Sequence, residues 1–252
     1  RSRGLGDVYK RQVYKYASIP QLYQGPQSIS LIEIDPVAGL KVNVAASDKM
    51  KETSKIASEY NAIAAINGSY FDMKRGNSVC FLKADRQIID TTMQSEFKLR
   101  VTGAINVRKG KIKLIPWSKQ IEKEYEGETG MVLASGPLML KDGQICDWNS
   151  CGANFIRTKH PRSAVATTKE GKILLITVDG RFPEQAEGVN IPELAHLIRI
   201  LGGEDALNLD GGGSTTLWLS GASDDGVVNY PCDNGRFDHA GERKVPNILY
   251  IH

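Results

Sequence analysis

Apolar and polar residues alternate with a period of two along much of the chain, and short turns rich in glycine and charge interrupt the alternation. Residues 28–35 (SISLIEID) and 40–46 (LKVNVAA) read as half-buried strands, and the turn at 36–39 between them predicts a hairpin. Three more hairpins are predicted around Arg108-Lys109-Gly110-Lys111, Lys141-Asp142-Gly143-Gln144 and Lys169-Glu170-Gly171-Lys172. Two segments have helical spacing instead. Ser47 is placed to cap a helix over 48–60, with Met50, Ile56, Ala57 and Tyr60 mainly on one side. Asn190 and Glu193 form the signature of a capping box opening a helix over 191–201, with Pro192 in its first turn and Gly202-Gly203 ending it. Strands outnumber helices and do not alternate with them regularly. The expected class is therefore α+β, a single domain around a mixed, largely antiparallel β-sheet with a few packed helices. Residues 117–130 (WSKQIEKEYEGETG) read as an exposed insertion.

Composition narrows the partners. The chain has 252 residues, 41% hydrophobic and 24% charged, enough for a sizeable core. Its formal charge of +3 has a local origin, since Arg1, Arg3, Lys10 and Arg11 against Asp7 account for all of it. The first dozen residues lack helical or strand periodicity and the apolar stretch of a secretion signal, so 1–12 reads as a non-native leader and 13–252 as the domain. A neutral body argues against a nucleic-acid partner. No apolar run is long enough to span a membrane. Cys80, Cys146, Cys151 and Cys232 form no C-x-x-C pair and lie far from the histidines, which disfavours structural zinc. Cys146 and Cys151 bracket four polar residues, where either a small disulfide loop or free half-buried thiols fit.

Four apolar runs meet Asp, Asn, Arg or Gly abruptly at one end. They are residues 63–72 (IAAINGSYFD), His160-Pro161-Arg162-Ser163 before a strand, 174–181 (LLITVDGR) and 206–216 (ALNLDGGGSTT). Asp-Gly after a strand is most often just a turn, a histidine before proline is most often a solvated loop residue, and Asn67-Gly68-Ser69 also reads as a glycosylation acceptor. The run Gly211, Gly212, Gly213 is harder to dismiss, because each glycine costs roughly 0.5–1 kcal/mol of backbone entropy relative to alanine. It is better explained by close approach of backbone to a ligand, with N–H groups presented to an anion. Walker, G-x-S-x-G and H-E-x-x-H patterns are absent. Two strand-end aspartates can divide acid and base duties. Arginine forks suit phosphodiester oxygens. The set fits hydrolysis beside a negative charge, as in a glycosyl phosphodiester.

These segments, with S-G-P-L-M-L at 135–140 and R-K-V-P-N at 243–247, resemble the ordered motif series of the phosphodiester glycosidase family from about residue 43 to 251. The resemblance implies an α+β fold and cleavage of a sugar–phosphate diester, a carbohydrate-phosphate substrate and an extracytoplasmic setting that would suit a Cys146–Cys151 bridge. Carried over by motif, Asp179 and Asp210 are the acid/base candidates. Arg162 and Arg181 would hold phosphate, helped by Gly211, Gly212, Gly213, Ser214 and Thr215. Asn67, Asp72, His160 and Arg243 would contact the rest of the substrate. No cofactor is required by any pattern, although clustered Asp and Asn oxygens also suit a hard cation such as calcium. The competing readings are a glycan-binding module of the same fold without turnover, and a structural domain whose aspartates cap turns.

Overall fold

The computed structural model of the protein describes residues 3–5, 12–35, 39–84, 86–126 and 130–252. Three largely antiparallel sheets make up the fold. The largest runs in the order Arg3–Leu5, Gln12–Leu22, Gly25–Ile34, Ile173–Val178, Arg162–Thr168, Gly203–Asn208, Leu138–Lys141, Gln144–Ile145. A four-stranded sheet orders Leu217–Leu219, Ala64–Asn67, Val245–Ile251 and Val42–Lys51. The third holds five strands, with Met131–Ser135 at its centre.

The Ile173–Val178 strand shows why the large sheet sits in the middle. Ile173 and Leu175 face a core shared with Val44, Ile66 and Leu249 of the four-stranded sheet and Ile105 and Leu133 of the third. Leu174, Ile176 and Val178 face the other way, onto Ile191, Leu194, Ala195 and Ile198. Both faces are covered, so the strand reads as a continuous apolar run rather than an alternation. The helix that covers it, Ile191–Ile200, begins with the expected capping box and has Leu201 as its C-cap. Each large aliphatic side chain buried on this helix contributes about 1.5–3 kcal/mol.

The three charged hairpins form as expected, with Arg108 opposite Lys111, Lys141 opposite Gln144 and Thr167 opposite Ile173. The first hairpin does not. Gly25–Ile34 pairs with Gln12–Leu22 and Ile173–Val178, whereas Val42–Lys51 pairs with Val245–Ile251 in another sheet. Local alternation announces a strand but not its partner, and both strands find partners far away in sequence. Residues 36–38 of that turn lie outside the described residues. Likewise, no helix starts at 48. The strand continues to Lys51, paired with Val245, and a shorter helix follows at Thr53–Glu59 with Glu52 as its N-cap.

Two boundaries also shift. Arg3–Leu5 is a strand paired with Tyr14–Tyr16, and the next strand begins at Gln12, so the leader is not wholly outside the fold. Trp117 is buried against Phe81, and its indole N–H donates to Glu122 at 2.8 Å, which anchors the segment expected as an exposed insertion. Residues 127–129 of it lie outside the described residues. All four cysteines are free thiols.

Candidate active site

Antiparallel pairing gathers the polar strand ends. Arg162 pairs with Val178 and Ala164 with Asn208, so the start of the central strand shares one sheet edge with the ends of both neighbours. Arg162, Asp179 and Asp210 all emerge there. In the four-stranded sheet, Asn67 pairs with Ile248 and Ile66 with Leu217, which brings the end of Ala64–Asn67 to the starts of the other two strands.

Asn67 joins the two edges. Its Oδ1 accepts from the Ser163 hydroxyl at 2.6 Å and from the Thr216 N–H at 3.1 Å, while its Nδ2 donates to the Asp210 carbonyl at 2.7 Å. The Asp210 N–H donates to the Gly68 carbonyl at 3.0 Å. A Cβ at Gly68 would lie 2.0 Å from Asn247 Oδ1 and 2.7 Å from the Asn247 carbonyl oxygen, so only glycine allows this approach. Asn67 is fully buried and all three of these contacts are internal. Asn67 thus holds the backbone from which Asp210 projects.

Asp210 is only partly buried. Burial nonetheless pushes its carboxyl up to about 6, against the opposing pull of the Ser214 hydroxyl, the Arg100 and Arg243 guanidinium groups and the Gly211 N–H. Asp179 reaches about 6 for the same leading reason, in a different setting. It is wholly inaccessible. One carboxylate oxygen accepts from Ser28 Oγ at 2.6 Å, and the other from Asn229 Nδ2 at 2.9 Å and the Tyr230 N–H at 3.0 Å. Asp179 organises the 229–230 segment and has no open face for a substrate.

The arginines divide in the same way. Arg162, 2% exposed, donates from Nε to the Val189 carbonyl and from Nη2 to those of Phe155 and Thr158. Burial lowers it to about 10. It ties the 155–158 turn and Val189 to the central strand, and its charge interacts with that of Asp210. Arg181 is exposed, at φ +67°, with Nη1 3.7 Å from Cys232 Sγ and no carboxylate partner among the described residues. Arg243 donates from Nε to Asp233 at 3.0 Å.

Two of the three glycines make room for these arginines. A Cβ at Gly211 would meet the Pro161 carbonyl at 2.5 Å, at Gly212 the Arg181 guanidinium at 2.9 Å, and at Gly213 that of Arg243 at 2.4 Å. Of the three glycine N–H groups, that of Gly211 faces the Asp210 carboxylate. The Gly212, Ser214 and Thr215 N–H groups donate to the carbonyls of Pro161, Gly211 and Gly212. Glycine is needed because two guanidinium groups lie against the backbone. Thr215 is buried, and its carbonyl accepts from Asn229.

The remaining two expected contacts are Asp72 and His160. Asp72 Oδ1 accepts from the N–H groups of Lys74 and Arg75, a turn that keeps its carboxyl below the usual range. His160 bridges to Val189 through the backbone, and burial, then Arg162 and Arg181, push its imidazole down.

Sequence reasoning missed Arg100 and Tyr70. The Arg100 guanidinium lies 3.5 Å from the Tyr70 ring centre, and its Nε donates to Glu96 at 2.7 Å. Tyr70 donates in turn to the carbonyls of Gly136 and Leu209, and Asn208 Nδ2 donates to its hydroxyl at 2.8 Å. Tyr70 sits inside a motif already singled out. Arg100 follows a short helix and carries no local signal. Among the described residues, no three His, Cys, Asp or Glu side chains converge as a metal ion requires.

The family described as phosphodiester glycosidase matches residues 60–252. N-acetylglucosamine-1-phosphodiester alpha-N-acetylglucosaminidase of Mus musculus is 24% identical over 205 residues, 75% of this chain and 37% of its own. The Homo sapiens protein of the same name is 24% identical over 81% of this chain and 39% of its own. The chain thus spans well under half the length of these relatives. The catalytic domain of the zebrafish protein of that name, solved as a form auto-inhibited by its pro-peptide, superposes with a TM-score of 0.73 at 20% identity. That match covers 100% of this chain and 87% of the zebrafish chain, and it shows the shared fold.

Proposed function

Because the chain belongs to the phosphodiester glycosidase family, we propose that it hydrolyses a sugar-1-phosphodiester at the Asp210 corner, releasing free sugar and a phosphorylated acceptor. The observation that carries this reading is a partly exposed aspartate, its carboxyl raised to about 6, beside Arg100 and Arg243. Arg181 lies against the same glycine loop.

The chemistry follows from the leaving group. A phosphate monoester departs with its own negative charge, so cations help it more than a proton does. Arg181, Arg243 and Arg100 supply that charge stabilisation. Asp210, ionised above about pH 6, takes a proton from water as the water oxygen bonds to the anomeric carbon. The bond from that carbon to the phosphate-bridging oxygen breaks, and its electron pair leaves with the phosphate. Arg162 and Asn67 hold the loop that presents Asp210. No step is routed through a metal ion or cofactor.

An extracytoplasmic setting belongs to the same proposal. Among the described residues no helix is long and apolar enough to cross a membrane. Incubation with a panel of glycosyl-1-phosphate diesters, reading free sugar and phosphomonoester, tests the proposal. Release of both in equal amounts is expected. Saturable binding without product would leave a glycan-binding module instead.

A further inference from the structure

The strands that bring Arg162, Asp179 and Asp210 together have opposite ends, about 20 Å away along the seven-residue central strand. At that end a cavity of about 850 Å³ opens beside Lys41, the turn of the hairpin at Lys109 and Gly110, and Thr168. Among the described residues five lysines line it, Lys41, Lys109, Lys111, Lys113 and Lys141, against the single acid Asp205. Lys141 is engaged with Asp205 at 2.9 Å. The other four have no carboxylate partner among the described residues.

Strand periodicity builds this surface. Within Lys111–Pro116, Lys111 and Lys113 are exposed while Ile112 and Leu114 turn to the core. Unpaired ammonium groups around one concavity repel one another and focus a positive field. A body whose residues 13–252 sum to zero charge has no need of that concentration for solubility. The floor adds a second feature, since half-buried Leu40 and Ile115, the latter on the same strand face as Lys111 and Lys113, add apolar surface to the concavity. None of the described lining residues is aromatic, whereas grooves for single-stranded nucleic acid stack bases on aromatic rings. An apolar floor under a cationic rim suits a chain of sugar rings joined by phosphates, and the volume falls in the range of ligand sites.

We propose that this cavity is an exosite for an anionic, phosphodiester-linked glycan chain, gripping distant units while the Asp210 corner acts on a linkage elsewhere. The proposal deepens the hydrolase reading and rests on it for the ligand class. The probe is a phosphodiester-linked oligomer of N-acetylglucosamine-1-phosphate units, titrated by calorimetry at several salt concentrations. The double variant Lys111→Gln with Lys113→Gln should lower the slope of log affinity against log salt by about two, one for each lysine removed. It should raise KM for the oligomer and leave kcat and KM for a single-linkage diester unchanged. Lys41→Gln, at a separate loop, should lower the slope by about one. It decides the matter if the double variant does not fold.

No oligomer binding by the parent protein would overturn the proposal, as would an unchanged salt slope in the variants. Equal or tighter binding of single-stranded DNA of matched charge would overturn it in favour of a nucleic-acid groove. Loss of turnover on the single-linkage diester would do so too, since the cavity would then belong to the catalytic machinery. If no diester is cleaved at all, the hydrolase reading fails, while the salt titration still decides whether the exosite exists.

Discussion

Asp179 and Asp210 each follow a strand of the large sheet, each precedes a glycine, and burial drives each carboxyl to about 6. Their surroundings differ. Asp179 is sealed and held by three neutral donors, whereas Asp210 is partly open and lies in the field of Arg100 and Arg243. The same local signature thus yields a structural anchor at one corner and a reactive group at the other. A raised carboxyl pKa marks burial at both and does not by itself mark chemistry. Access and charged neighbours separate the two.

The largest expected difference is in turnover. Asp210→Asn should lower kcat on a sugar-1-phosphodiester by about 10²–10⁴-fold, the usual contribution of a general base. Asp179→Asn should lower it less than about tenfold. Equal losses in steady-state assays would erase the distinction. In the parent protein, kcat/KM should decline as pH falls through about 6, because Asp210 must be ionised to accept a proton.

Arg162→Ala extends the comparison to the cations. It strips donors from the Val189, Phe155 and Thr158 carbonyls, so urea unfolding should show a loss on the order of 3 kcal/mol. Unaltered stability with a raised KM would restore Arg162 as a phosphate clamp. Asp179→Asn should reshape the dependence of stability on pH. The folded carboxyl titrates above its usual 3.8, so the folded state holds the proton more tightly than the unfolded chain. Its contribution is complete below about pH 4 and is lost as pH rises through about 6. Between pH 4 and 7 the parent should therefore lose on the order of 2 kcal/mol relative to the asparagine variant, read by thermal or urea unfolding. The smallest effect is expected at Arg181, which has no carboxylate partner among the described residues. Arg181→Gln should raise KM about tenfold with little change in stability, by the loss of one charge-assisted contact.

Much of the site's location was legible in the sequence because strands that stop at polar residues are a local signal. The hairpins around Gly110, Gly143 and Gly171 and the capping box at Asn190 were legible for the same reason. What was not legible depends on distant partners. The strand ending at Lys51 is extended by Val245, almost two hundred positions later, so Ser47 never caps a helix. The roles within the site were hidden likewise. Only coordinates show that Arg162 is engaged with carbonyls, that Gly212 and Gly213 make room for Arg181 and Arg243, and that Arg100 stacks on Tyr70.

The Asn67 carboxamide has a consequence for how new specificities can arise on this scaffold. Its hydrogen bonds to Ser163, Thr216 and the Asp210 carbonyl weld the two sheets at the point where the reactive carboxylate emerges. Mutational drift through that weld forfeits foldedness before it can alter selectivity, so inheritable change is channelled outward. A laboratory library that randomises residues 234–240 while freezing the weld should be rich in soluble variants, and one that does the reverse should be poor in them.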